Sequence, residues 1–502
     1  MRSILPAFVG TASAASTLLS GGTIIAFNNE TNGLDVVRNG SLLITDDRIA
    51  SVNSSPWPRN LPNDTTTIDV SDQIITPGFV DTHRHGWQTA FKTIASNTTL
   101  AEYFGRYGEF AAASSFDAED VYLGQLVGMY ESLDAGVTTV LDHAHHTWSN
   151  DTAYAGLNAS IDSRARVFWA YTFHNITSLN YTIEMQFPNF REIAESDLYA
   201  GSPVELGISY DSWGPTPGPE THQIAHLANE YNVSVVTTHS LAGPWGITNL
   251  PSDLHRFDIL NTSIPVVFSH GSFITANDAQ LLRQTGQYLS ITPESEMHYG
   301  HTHPHSRFIQ DQAALGVDTH FTFAADILTQ ARLWLQTARY DFFDDVMKKW
   351  EIPSTNPMSV EQSFLLATRS GGQALHREDI GVIQAGAKAD VVVWNAKDSW
   401  SMLGWVDPVA AVMLHANPGD VFHVIVEGQL VKKDGKLTDP NHEDVKSRFL
   451  ESARKIQKTF RETPYPELEG NWEYSGFPFA APQIADVEPG NGTGYGQLWL
   501  DQ

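Results

Sequence analysis

Three textures of apolar and polar positions divide the chain. From residue 16 to 76, short apolar runs alternate with turn residues. Residues 20–26, 40–44 and 48–52 read as strands, with Asp46 and Asp47 forming the turn before the third. From 77 to 375, apolar runs of strand length alternate with helical stretches. The runs are 74–83, 136–142, 166–170, 205–209, 233–238, 265–269, 288–292 and 314–318. Eight strand–helix units predict an α/β fold, a (β/α)8 barrel, with its site at the strand C-termini. Residues 376–440 return to β texture in 381–383, 389–394 and 421–428. Both termini are thus expected to build a composite β-sandwich domain around the barrel. Residues 441–502 read as a helix over 443–463 and an irregular tail rich in Pro, Gly and aromatics.

Composition narrows the partners. The net charge of −28 opposes nucleic acid and anionic membranes, and no apolar run has the length of a membrane span. A small-molecule substrate is left as the expected partner. The absence of cysteine excludes disulfides, thiol catalysis and thiolate-bound zinc. Twelve Asn-x-Ser/Thr triplets begin at Asn29, Asn39, Asn53, Asn63, Asn97, Asn150, Asn158, Asn175, Asn180, Asn232, Asn261 and Asn491. Roughly four are expected by chance, so the excess points to N-glycosylation. Residues 1–15 agree: Arg2, an apolar run 4–9 and small residues 11–15 resemble a signal peptide. Secretion is the expectation.

The strand ends carry the chemistry. Residues 74–85 read as a buried strand ending in His83 and His85, two positions that point the same way. A bare His-x-His occurs elsewhere in the chain, at His143/His145, His301/His303 and His303/His305. The first pair gains meaning because the fifth strand ends in His239, the sixth in His270 and the eighth in Asp318. Imidazoles and a carboxylate suit one divalent metal, zinc ahead of iron, with an open position for water. Such a metal brings water near neutral ionisation, giving a hydroxide nucleophile. Asp318 can take the water proton, and His270 can bond the hydroxide or the oxyanion.

These motifs resemble the amidohydrolase superfamily, in its cytosine deaminase-like and s-triazine hydrolase-like (chlorohydrolase) branch. They are residues 77–85 (PGFVDTHRH), 236–239 (VTTH), 268–271 (FSHG) and 315–318 (LGVD), with the β return at 381–390. The resemblance spans residues 16–436. It implies a barrel with a β-sandwich domain and one catalytic metal held by His83, His85, His239 and Asp318. It also implies His270 as acid/base or, less often, as a further ligand, and it implies a homodimer. Asp326, eight residues after Asp318, reads as a helix N-terminal residue.

Two departures bear on the reaction. No lysine stands at the end of the fourth strand, where Tyr210-Asp211-Ser212 falls, which argues against a carbamylated dinuclear site. Many deaminases of this branch carry a glutamate three residues after the fifth-strand His, and here that residue is Ala242. Glu294 and Glu296 after the seventh strand are the candidate replacements as proton carriers. Trp87, Gln88, Trp213 and Trp245 follow strand ends and are expected to line a flat pocket. His298 opens a His-rich loop and is a candidate substrate contact. The expected activity is hydrolysis of a C–N bond in a cyclic or aromatic small molecule. The alternative is a metal-dependent lyase, a decarboxylase or dehydratase, on the same scaffold.

Overall fold

The computed structural model describes residues 16–489. The expected signal peptide, 1–15, and Asn491 lie outside the described residues. Seventeen strands are described. The first five are β1 (Ser16–Asn28), β2 (Gly33–Thr45), β3 (Arg48–Asn53), β4 (Thr65–Asp69) and β5 (Ile74–Pro77). The next eight are β6 (Phe79–Arg84), β7 (Val137–Ala144), β8 (Arg166–Thr172), β9 (Val204–Ser209), β10 (Val236–Leu241), β11 (Val266–Ser272), β12 (Tyr288–Ile291) and β13 (Ala313–Leu315). The last four are β14 (Val391–Trp394), β15 (Val421–Val426), β16 (Gln429–Lys433) and β17 (Lys436–Leu437).

Strands β6 to β13 form one parallel sheet in sequential order. Five of them are buried along their whole length, as expected for strands covered on both faces. The sheet closes just beyond β13. Val317 and Asp318 donate backbone hydrogen bonds to the His83 carbonyl, and His85 N–H reaches the Asp318 carbonyl at 3.4 Å. The seam is bolted by Asp81, whose carboxylate takes Arg84 Nε at 2.7 Å and Val317 N–H at 3.0 Å. Arg84 in turn donates to the Ala325 carbonyl at 2.6 Å.

The other nine strands form a mixed sheet from both ends of the chain, in the order β17-β16-β15-β14-β5-β1-β2-β3, with β4 beside β1. Its core joins Leu19, Ile24, Ile44 and Ile75 to Val391, Val393 and Ile425. Strand β4 escapes sequence reading because its alternation is weak and it is largely exposed. Residues 381–383, expected as a strand, are not one. Gly381 turns at φ +71°, and a Cβ there would meet the Thr368 carbonyl at 2.3 Å. The C-terminal helix runs His442–Glu462, close to expectation. Among the described residues no helix is long and apolar enough to cross a membrane.

The two sheets are locked by a buried ion cluster. Arg166 at the start of β8 donates to both oxygens of Asp390, at 2.8 and 3.1 Å, and pairs with Glu427. Lys388 bridges Glu427 to Asp47 at 2.8 and 2.7 Å. Removing one partner of a buried pair strands the other's charge. Asp390→Ala is therefore expected to cost ~3–5 kcal/mol of stability, read by urea denaturation. A loss under about 1 kcal/mol would place this cluster among ordinary surface pairs.

Candidate metal centre

The site is built at the C-terminal ends of the barrel strands. His83 and His85 extend from β6, His239 lies in β10, and His270 lies in β11. Asp318 stands three residues past β13 rather than within it. His270 and Asp318 both take positive φ, +74° in each case. That conformation is costly for a side-chain-bearing residue and is held only where the surroundings enforce it.

Each imidazole is anchored through its Nδ1. His85 Nδ1 meets the His143 carbonyl at 2.9 Å, and His239 Nδ1 meets Asp211 Oδ2 at 2.8 Å. His83 Nδ1 meets Ser269 Oγ at 2.7 Å. A carbonyl or a carboxylate only accepts, so His85 and His239 carry their protons on Nδ1. In the neutral rings their Nε2 lone pairs then face each other at 3.2 Å. His83 Nε2 is buried without a hydrogen-bond partner. Asp318 Oδ1 adds a fourth acceptor, 3.4 Å from His83 Nε2 and 3.2 Å from His85 Nε2. With His83 donating from Nδ1 to Ser269 Oγ, four acceptors converge on one point and repel unless a cation lies among them. The set of three imidazoles and one carboxylate fits a divalent zinc or iron ion. The anchored Nδ1 atoms are the outer-sphere contacts that orient such ligands.

The electrostatics follow the same geometry. Burial pushes the His83 imidazole well below its ordinary pKa. Burial also works against the ionised forms of Asp211 and Asp318, but the neighbouring histidines hold both carboxyls well below the usual range. His239 is lowered by burial and raised more by the Asp211 charge, for a net rise.

Neither expected proton carrier faces this point. Glu294 is turned away, its carboxylate held by Gln330 Nε2 at 3.0 Å and Ala324 N–H at 3.2 Å. Glu296 is fully buried behind His270, with Oε1 3.7 Å from His270 Nδ1 and Oε2 2.5 Å from His303 Nδ1. Glu296 therefore acts on His270 rather than on a substrate. Asp326 caps the helix Ile327–Met347, accepting from Thr329 N–H at 2.6 Å, as expected.

A cavity of about 310 Å³ opens onto the centre. Tyr103, Phe104, Phe173, His174, Tyr299 and Tyr474 give it aromatic walls, and Glu109, Asp211 and Glu220 add carboxylates. The expected pocket residues stand elsewhere. Trp87 is buried in a cluster with Phe91, Phe116 and Trp148. Its Nε1–H donates to His145 Nδ1 at 2.9 Å, and His145 stacks on His85 at 3.8 Å, so Trp87 orients the site from behind. Gln88 Nε2 is spent on Tyr103 Oη and the Tyr107 carbonyl. Trp213 packs between Tyr210 and Phe257. Trp245 packs on Trp472, and His298 packs on Tyr299 and Phe323. None of the five lines the cavity. Of the residues that do matter, Asp211 was open to the strand-end argument, since it sits just past β9. Ser269, Glu109 and Tyr474 carry no sequence signal that marks them.

The Glu296–His303 bond has a definite pH signature. The Glu296 carboxyl is disfavoured by burial but held down to about 2 by the His303 charge and by His270. Its stabilising contribution is complete above the ordinary 4.5 and is lost as pH falls through about 2. His303, lowered by burial but raised further by Glu296, contributes fully below its ordinary 6.5 and loses this as pH rises through its raised value. Melting temperature is expected to plateau between these limits, and Glu296→Gln is expected to flatten the profile.

Residues 74–431 match the model of the Amidohydrolase family. The chain is 23% identical over 464 residues to a 5-methylthioadenosine/S-adenosylhomocysteine deaminase of Syntrophus aciditrophicus, covering 89% of this chain and 98% of the relative. It is 22% identical over 429 residues to a 5'-deoxyadenosine deaminase of Methanobrevibacter smithii, covering 84% and 94%. Among solved structures, a zinc-bound adenosine deaminase from Xanthomonas campestris superposes with a TM-score of 0.75 at 16% identity, over 89% of this chain and 99% of that one. An atrazine chlorohydrolase from Arthrobacter aurescens, complexed with zinc, gives 0.73 at 18% identity, over 87% and 100%. At these identities the structural likeness speaks for the fold. The family match covers well over half of the chain, and this protein belongs to the amidohydrolase family.

Proposed function

We propose that the chain is a metal-dependent hydrolase cleaving a C–N bond of a cyclic or aromatic small molecule. The bond would be an amide, a cyclic amide or an amino substituent. The observation that carries this reading is the convergence of His83, His85, His239 and Asp318 at the floor of an aromatic-walled cavity. The named relatives, nucleoside deaminases and a triazine chlorohydrolase, act on planar nitrogen heterocycles of that kind.

His83, His85 and His239 through Nε2, with Asp318 Oδ1, would hold the ion. When bound, it supplies a Lewis acid and brings water near neutral ionisation, with zinc favoured over iron. Asp318 Oδ2, fixed by Ser295 Oγ at 2.5 Å and 4.0 Å from His270 Nε2, takes the proton from the attacking water. His270 Nε2 faces the developing oxyanion, while Thr292 at 2.8 Å and Glu296 hold its Nδ1 from behind. With Ala242 in place of the usual acid, Glu109 is the carboxylate that the cavity offers to protonate the leaving nitrogen. Burial, and the nearby Asp211 charge, push its pKa up, as suits an acid. A lyase is the second reading, and Ala242 is the observation that favours it.

The same proposal extends to compartment. Of the eleven sequon asparagines among the described residues, ten are exposed and Asn53 is half-buried. This supports N-glycosylation and passage through the secretory pathway. Every described sequon precedes residue 262, whereas the exposed Tyr340, Met347, Trp350 and Ile352 follow it. That glycan-free apolar stretch is where a homodimer contact is proposed.

Turnover in H₂¹⁸O is expected to place ¹⁸O in the product, whereas unlabelled product would select the lyase. Glu109→Gln is expected to lower kcat by about 10²-fold or more. A rise confined to KM would assign Glu109 to substrate binding instead. Asp211→Asn is expected to weaken metal affinity roughly 10- to 100-fold, read by competition with a chelator. For compartment, protein secreted from a eukaryotic host is expected to lose mass on treatment with an N-glycan endoglycosidase, and an unchanged mass would refute glycosylation.

A further inference from the structure

One wall of the cavity comes from far outside the barrel. The C-terminal helix His442–Glu462 ends against the helix Leu100–Arg106. Arg106 donates to the Phe460 and Thr463 carbonyls and lies 4.1 Å over the Tyr465 ring. The chain then returns across the barrel mouth and folds into a small hairpin. Asn471 and Pro478 form its bridge, Trp472 N–H donates to the Phe477 carbonyl at 2.7 Å, and Gly476 N–H donates to the Trp472 carbonyl at 2.7 Å.

The hairpin is wedged in place by Trp472. Its ring meets Phe104 at 5.8 Å and Trp245 at 5.7 Å, and its Nε1–H donates to the Trp245 carbonyl at 2.8 Å. The tip rests on Gly246, whose φ is +71°. A Cβ there would come within 2.9 Å of the Tyr474 carbonyl oxygen. Tyr474 stands at this tip and lines the cavity with Glu109 and Asp211. The residue is 53% exposed, which puts it at the rim. Burial and the charges of Glu473, Glu109 and Asp211 push its pKa up, so it stays a neutral donor at neutral pH.

We propose that Tyr474 is a specificity-determining residue: the hairpin carries it to the cavity rim, where ring and hydroxyl contact the part of the substrate farthest from the reacting bond. This rests on the reading of the cavity as the substrate site. The ring offers a flat apolar face, and the hydroxyl can offer one hydrogen bond to a polar substituent. Trp245, expected from the sequence to touch substrate, instead holds the hairpin that does so.

The test pairs kinetics with binding to the metal-free protein, where no turnover occurs. The probes are guanine and the bulkier 5'-methylthioadenosine. Tyr474→Ala is expected to weaken 5'-methylthioadenosine binding by about tenfold, the size of one lost aromatic contact, and guanine binding far less. Its KM should rise in parallel, with kcat within about twofold. Trp472→Ala, which frees the hairpin and removes a side chain that does not itself line the cavity, should reproduce the effect, and Tyr474→Phe should isolate the hydroxyl. Absent turnover with the binding effect intact would contradict the hydrolase reading while upholding the Tyr474 contact. An unchanged ratio of the two affinities in both alanine variants would overturn the proposal.

Discussion

Four acceptor atoms that would repel one another in isolation are held together at the barrel mouth. The Nε2 atoms of His85 and His239 face each other at 3.2 Å, with Asp318 Oδ1 3.2 Å from the first of them. Their Nδ1 atoms are committed to partners that only accept, so neither ring can turn its proton inward without losing a buried hydrogen bond. A shared proton or a divalent cation relieves the repulsion, and only the cation satisfies all four acceptors at once. The fold supports this arrangement from several sides: His143 from β7, Asp211 past β9, Ser269 from β11 and Ser295 after β12.

Closure of the barrel and assembly of the centre are the same event. The backbone bonds that join β6 to residues 317 and 318 also set the distance between His83, His85 and Asp318. Asp81 and Arg84 reinforce that seam from within, and the positive φ of Asp318 is tolerated because it is enforced there. The same reasoning explains the second layer. Trp87 braces His145 against His85, and Glu296 braces His270, so residues near the motif serve the site without reaching the cavity.

The barrel was legible because its strands are continuous apolar runs with histidines at their ends. His83, His85, His239, His270 and Asp318 are all marked by that pattern. What failed was proximity in sequence as a guide to the pocket. Trp87, Gln88 and Trp213 follow strand ends yet turn into the protein, where the two rings pack on Phe116, Trp148, Tyr210 and Phe257 and the amide bonds Tyr103. Glu294 and Glu296 were mislaid for a related reason: the residues after β12 form a short helix, Pro293–His298, which turns one carboxylate toward Gln330 and buries the other behind His270. Tyr474 was invisible because it reaches the cavity through a tail more than 150 residues past Asp318, held by ring contacts that no local pattern encodes.

The central claim is a single divalent ion among His83, His85, His239 and Asp318. Anomalous scattering from crystals of the protein as purified, recorded on both sides of the zinc and iron edges, tests it directly. One peak enclosed by those four side chains, lost in His85→Ala, is the predicted result. Fully active protein with no peak there, or with its only peak at another site, would contradict it.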